Sequence, residues 1–168
     1  MATPTTLPAS FTSGQILTAT NMNDIRGAFR ILQVVQGSTS TSATSTSTTF
    51  ADTNLSATIT PSATSSQVLI LVAQQGCQKT SGNADNSIKM RLMRGSTEIL
   101  KFAAAALRTG TTLENRGSIS AVYLDSPATT SATTYKTQFA NIVAASSVIV
   151  QDGAADSVST IILCEVSA

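Results

Sequence analysis

From Phe50 onward, apolar and polar positions alternate in short blocks, and each block ends at a turn-forming residue. "NLSATITP" sets Leu55, Ala57 and Ile59 against polar neighbours and stops at Pro61. "IKMRLMRG" sets Ile88, Met90 and Leu92 against Lys89 and Arg91. "TTYKTQFANI" alternates Tyr135, Thr137 and Phe139. A period of two is the signature of a strand with one dry and one wet face. "QVLILVAQQ" is instead a continuous apolar run of strand length, which predicts a strand buried on both faces.

"GSISAVYLDSP", "SSVIVQDG" and "SVSTIILCEVSA" complete the set, with "QDGAAD" (151–156) read as a hairpin loop between the last two. "TEILKFAAAALR" (97–108) reads as a strand running into an Ala-rich turn or loop. "ILQVVQ" (31–36) is the first strand. The stretch 38–49, in which eleven of twelve residues are Ser or Thr, reads as a linker or an exposed edge strand. Eight or nine short strands at about ten-residue spacing predict an all-β protein, an antiparallel β-sandwich of jelly-roll-like type. The expected core is Ile59, Leu69, Ile70, Leu71, Met90, Leu92, Val122, Leu124, Phe139, Ile149, Ile161 and Leu163.

The first thirty residues break this pattern. Pro4 and Pro8 among Thr and Ala favour an extended arm. "GQILTATNMNDIR" (14–26) then reads as one short α-helix with Thr18 as N-cap and Leu17 and Met22 at the spacing of a hydrophobic staple. Its apolar stripe is Ile16, Leu17, Met22, Ile25 and Phe29, and Arg26 and Arg30 complement the dipole at its end. The division is therefore 1–30, arm and helix, and 31–168, β-sandwich domain. The stripe either covers the end of the sandwich or docks on a partner. The polarity of the flanking arm favours docking.

Composition sharpens the picture. The chain has 168 residues, is 42% hydrophobic and only 11% charged, and carries a net charge of +1. Ser and Thr together number 50. A hydroxyl surface with few charges repels its own kind weakly and tolerates close packing. No cluster of Lys or Arg offers a phosphate track, so nucleic acid is not an expected partner. No run is apolar enough for a transmembrane helix, and the N-terminus has no basic n-region, so synthesis in a cytoplasm and no membrane partner are expected. Cys77 and Cys164 lie outside any ligand spacing, and two buried thiols are the plain reading.

Histidine is absent, which removes the commonest general base and metal ligand. The closest acids, Asp152 and Asp156, flank "GAA", where turn-forming Asp is the ordinary reading and a weak cation site the lesser one. No catalytic residue, metal or cofactor is implied, and a non-enzymatic structural or binding protein is expected. A glycosidase relying on carboxylates alone is the remaining enzymatic alternative.

One set of phrases goes further. "SGQILTATNMN" (13–23), "ILQVVQ", "TTFADTNLSATITPSATSSQVLILV", "RLMRGSTEI", "VYLDSPATTSATTYKTQ" and "STIILCEVSA" follow one another from residue 13 to the end. In this order they resemble virion structural proteins of tailed bacteriophages, of the tail fibre-like and head decoration-like kinds. The resemblance implies a virion surface protein with a compact β-sandwich head and carries no site residue. The chain departs from fibres in having no shaft repeat. A homotrimer on the capsid shell is the expectation, with the major capsid protein or another virion protein as partner. The alternative is a host-recognition module, a short tail fibre or head fibre tip, using the loops 81–87, 108–117 and 151–156.

Overall fold

A computed structural model describes residues 13–14, 16, 18–19, 31–144, 146–153 and 156–167. Of the expected helix, 14–26, Gly14, Ile16, Thr18 and Ala19 are described and the other residues lie outside, so the structure does not address it. From Ile31 onward the described chain is built of ten strands: β1 (Ile31–Thr39), β2 (Ala43–Ser45), β3 (Ala51–Ile59), β4 (Gln67–Lys79), β5 (Ile88–Arg94), β6 (Thr97–Ala106), β7 (Asn115–Asp125), β8 (Thr133–Asn141), β9 (Val148–Val150) and β10 (Ser159–Val166).

They form two antiparallel sheets. One runs β1-β10-β4, with β7 on the far side of β4 and with β9 and β2 continuing it; the other runs β3-β8-β5-β6. β9 and β10 both pair with β4, at Gln78–Lys79 and at Gln67–Ala73. They are thus one strand line interrupted at 151–158. β2 continues β1 in the same way, since β1 pairs with β10 and β2 with β9. Merging these pieces leaves four strand lines in each sheet.

Four of the pairings nest: β1 with β10, β3 with β8, β4 with β7, and β5 with β6. This is the pattern of one long hairpin, closed at Gly95–Ser96, wrapped into two layers. Eight strand lines in two such layers are a jelly roll. The expected fold class is therefore the observed one.

Several finer expectations are corrected. "QDGAAD" is not a hairpin loop, because the strands on either side of it lie in line along β4 rather than beside each other. The chain leaves the line where Gly76, at φ +56°, lets the β4 backbone approach within hydrogen-bonding distance: the Asp152 amide donates to the Gly76 carbonyl at 2.9 Å. The alanines of 103–106 stay in β6, where Ala103 and Ala106 sit opposite Met90 and Ile88; Leu107, at positive φ, ends the strand. Of the Ser/Thr stretch 38–49, Ser38 and Thr39 end β1 and Ala43–Ser45 form β2, both at the edge of their sheet, and the remaining residues connect them to each other and to β3.

Of the expected core, Ile59, Ile70, Met90, Leu92, Phe139, Ile161 and Leu163 are buried, whereas Val122 and Leu124 are 67% and 47% exposed and Leu69, Leu71 and Ile149 are half-buried. β7 carries apolar residues at both parities, so alternation alone did not orient it. Its register sets Tyr123 opposite Ile70 and Ala121 opposite Val72, which turns Val122 and Leu124 outward. The same parity puts Leu69 and Leu71 on the outer face, so β4 is not buried on both faces.

A polar belt crosses the interior. The Thr53 and Thr137 hydroxyls meet at 2.5 Å, Thr137 donates to Gln74 at 3.0 Å, and the Gln74 amide donates to Ser159 at 3.1 Å. All four residues are fully buried. On one side of the belt lies a cluster around Leu55, Ile70, Tyr135 and Leu163; on the other lies one around Ile88, Phe139, Val148 and Val150. Because buried polar groups are tolerated only when paired, this belt penalises any register that separates Thr53, Gln74, Thr137 and Ser159.

Candidate interaction surfaces

The two outer faces of the sandwich differ in chemistry. On the β3-β8-β5-β6 face, polar contacts run from edge to edge. Asp52 on β3 accepts from Lys136 at 2.9 Å and from Gln138 at 2.6 Å, both on β8. The Gln138 oxygen accepts from Arg91 Nε of β5 at 2.9 Å, and Arg91 Nη1 donates to Glu98 of β6 at 2.9 Å. Lys101 closes the series 3.4 Å from Glu98. The Arg91 guanidinium also lies 4.2 Å from the Phe50 ring centroid. Burial alone would raise the Asp52 pKa, but hydrogen bonds from Gln138 and Lys136 outweigh it and hold the group below its usual range. Arg91 chiefly does the same for Glu98.

The other outer face has no such series. Across it, one row of neighbours is Val34, Cys164, Leu69 and Leu124, and the next is Gln36, Ile162, Leu71 and Val122. A third row, Ser38, Thr160, Ala73 and Ser120, is also without charge. Val34 is 60% exposed. Leu69, Leu71 and Ile162 owe their half-burial to their place mid-sheet. One layer of the molecule thus presents charge across its whole face, whereas the other presents aliphatic side chains and hydroxyls over these three rows and carries Arg116 toward the loop end of β7.

A third feature is the end of the sandwich where the β4–β5 and β6–β7 loops meet. Lys79, fully buried, donates to the Thr109 hydroxyl at 2.7 Å and to the Thr111 carbonyl at 2.6 Å, with the Ala84 carbonyl at 3.5 Å. Gly82 donates to the Thr112 carbonyl at 2.9 Å, and Arg108 pairs with Asp85. Two of the three loops expected to form a recognition surface are thereby joined. The third is tethered nearby by Arg116, on β7, whose guanidinium lies 2.6 Å from Asp152. Sequence reasoning missed Lys79, because a single lysine before "TSGN" looks like an ordinary solvated charge.

The Asp152 carboxylate is thus engaged by Arg116, while Asp156 is exposed and its amide closes a turn onto the Gly153 carbonyl at 3.2 Å. Among the described residues, no group of three His, Cys, Asp or Glu gathers as a metal site. No described helix is long and apolar enough to cross a membrane. Cys77 and Cys164 are both free and buried, and burial pushes the Cys77 thiol up to about 12. An open groove of about 490 Å³ lies between Phe50, Lys89, Lys101 and the Phe102–Ala104 segment of β6. Of the expected docking residues, Ile16 is described and 84% exposed, while Leu17, Met22, Ile25 and Phe29 lie outside the described residues.

No family model matches the chain. No curated protein matches it. Thirteen solved chains do match. One is the crystal structure of the infectious bursal disease virus VP2 subviral particle, at 15% identity and a TM-score of 0.38, covering 82% of this chain and 39% of that one. At that score the likeness decides nothing about function, and the jelly roll rests on the strand order.

Proposed function

We propose that the chain is a non-enzymatic structural protein of a tailed-phage virion, a trimeric capsid decoration (cement) protein attached through residues 1–30 to the major capsid protein or another virion protein. The observation that carries this reading is the contrast between the two outer faces. A molecule with an edge-to-edge charged series on one face and three uncharged aliphatic and hydroxyl rows on the other suits an assembly, one layer toward water and one toward protein. The ordered phrases from "SGQILTATNMN" to "STIILCEVSA" support the phage context. Jelly rolls also serve in lectins and cupins, so the fold by itself is not the argument.

Attachment falls to Ile16, Leu17, Met22, Ile25 and Phe29. Burying three or four such side chains supplies about 1.5–3 kcal/mol each. Ordering the arm consumes much of that, at about 1–2 kcal/mol per fixed residue. One arm therefore binds weakly, and three on one trimer bind well. Deleting residues 1–30 is expected to leave a folded trimer that no longer joins particles. A truncated chain that unfolds would make the segment part of the core and end the docking reading.

A second reading, a host-recognition tip, draws on the joined loops around Lys79 and on the groove beside Phe50. Location on purified particles separates the two: shell for decoration, tail or vertex for recognition.

A further inference from the structure

We propose that the groove on the outer face of the β3-β8-β5-β6 layer binds an acidic sugar, a saccharide residue that carries a carboxylate. The proposal goes beyond the shell reading and holds wherever on a particle the chain sits.

The groove exists because of the alanine run in β6. Ala103 and Ala104 follow Lys101 and Phe102 along the strand and present only a methyl group each, so the surface sinks between them and Phe50. Lys89 of β5 stands beside these alanines, since its neighbours Ile88 and Met90 pair with Ala106 and Ala103. A space of about 490 Å³ is of the size that holds a small ligand.

Its charge sets the sign of that ligand. Lys89 and Lys101 line the groove, and none of its lining residues is acidic. Glu98 already engages Arg91 at 2.9 Å and reaches Lys101 only at 3.4 Å. Among the described residues, no carboxylate lies within ion-pair distance of Lys89. Its ammonium donates to the Thr48 carbonyl at 3.2 Å and lies 5.6 Å from the Phe50 ring centroid. A carboxylate entering the groove thus meets one ammonium with no counter-ion and a second that is loosely paired.

The walls select the body that carries the charge. Phe50 and Phe102 offer apolar ring surface for the C–H face of a sugar ring. Thr48 and Thr49, next to Phe50 in the chain, are exposed and carry hydroxyls that both donate and accept, as those of a sugar do. An acyl chain needs an enclosed pocket, and this groove is open. An extended acidic peptide would pair with β6, the edge strand of its sheet, but the β5–β6 register shifts at three places, and such irregularity opposes further pairing.

Saturation-transfer difference NMR on the full chain tests this, with methyl glucuronide and methyl glucoside as probes. The two differ only in a carboxylate against a hydroxymethyl group. The glucuronide is expected to bind and the glucoside to bind about tenfold more weakly, the loss of a charge-assisted hydrogen bond. Lys89→Ala is expected to weaken the glucuronide by about tenfold. Ala104→Phe, at an exposed position, is expected to fill the groove and abolish binding, and both variants to keep the wild-type circular dichroism. The two sugars decide the matter on wild type alone should a variant fail to fold. No glucuronide signal, equal binding of the glucoside, or a folded variant that binds as wild type does would overturn the proposal. Displacement of the glucuronide by a glutamate-rich peptide at lower concentration would do the same. A protein that binds the glucuronide but is missing from purified particles would sink the shell reading and leave this site standing.

Discussion

Glu165 offers the sharpest test of how the sandwich is held together. It points inward from β10 and is 1% exposed, yet among the described residues no Lys or Arg is a hydrogen-bond partner of it. It accepts instead from the Ser62 amide and hydroxyl, each at 2.6 Å, and from the Gln33 side-chain amide, also at 2.6 Å. One carboxylate thus fastens β1 and the β3–β4 turn to β10. Burial alone would raise its pKa, but the hydrogen bonds from Ser62, Gln33 and Ser66 prevail and hold it at about 2, against an ordinary 4.5.

A carboxyl group with a depressed folded-state pKa stabilises the fold fully above its unfolded value. That stabilisation is lost as pH falls from 4.5 through about 2. The shift corresponds to about 3 kcal/mol at most, and solvent beside the exposed 62–65 turn reduces this to about 1–2 kcal/mol. Urea unfolding of wild type and Glu165→Gln between pH 7 and pH 2.5 reads the effect directly. The variant is expected to be less stable at pH 7 by that amount, since its amide turns a donor toward donors. The gap should shrink as pH drops and the wild-type carboxyl gains its proton. Other acids titrate in both proteins and cancel in the difference. A gap that stayed constant across the range would refute the account of Glu165.

Three further outcomes follow from the packing. Gly37→Ala is expected to lose about 2–3 kcal/mol in thermal or urea unfolding, because a Cβ there would run into the Ser56 carbonyl of β3 across the sandwich; an unchanged melting temperature would mean the sheets are farther apart at this edge. Tyr135→Phe is expected to cost about 1.5–3 kcal/mol, since the buried hydroxyl donates to Asp125 at 2.7 Å, whose carboxylate also takes Arg94 at 2.9 Å; equal denaturation midpoints would show that this hydrogen bond is not made. Cys77 is expected to resist iodoacetamide at pH 8 in the native protein and react in urea, its thiol being buried and pushed up to about 12, with peptide mass spectrometry as the readout; rapid native labelling would show that the cluster around it opens.

How much of this was legible in the sequence depends on what sits between the apolar residues. In β3 and β5 the intervening positions are polar or charged, so the inward set Leu55, Ala57, Ile59 and Ile88, Met90, Leu92 follows from alternation alone. In β7, Ile119, Ala121 and Tyr123 compete with Val122 and Leu124, and only the register against β4 decides. The outward choice leaves Val122 and Leu124 in solvent, which is why the sequence pattern misled there. Lys79 and Glu165 looked like isolated charges because their partners are 30 and more residues away: Thr109 and Thr111 for one, Ser62 and Gln33 for the other. The in-line course of β9 and β10 was hidden for a similar reason, since a short polar interruption between two strands reads locally as a reversal. Four of the five proposed docking residues fall outside the described residues, so that assignment rests on the helical spacing of Met22, Ile25 and Phe29.

The proposed role is that of a trimeric component of a phage shell. Cryo-electron microscopy of purified particles, with the chain located and its copies counted, tests that role. A trimeric decoration protein would appear as threefold clusters spread over the capsid, with the charged β3-β8-β5-β6 layer toward solvent and residues 1–30 running onto the shell. Particles that lack the protein, or carry it as single chains with the aliphatic face bare, would contradict it.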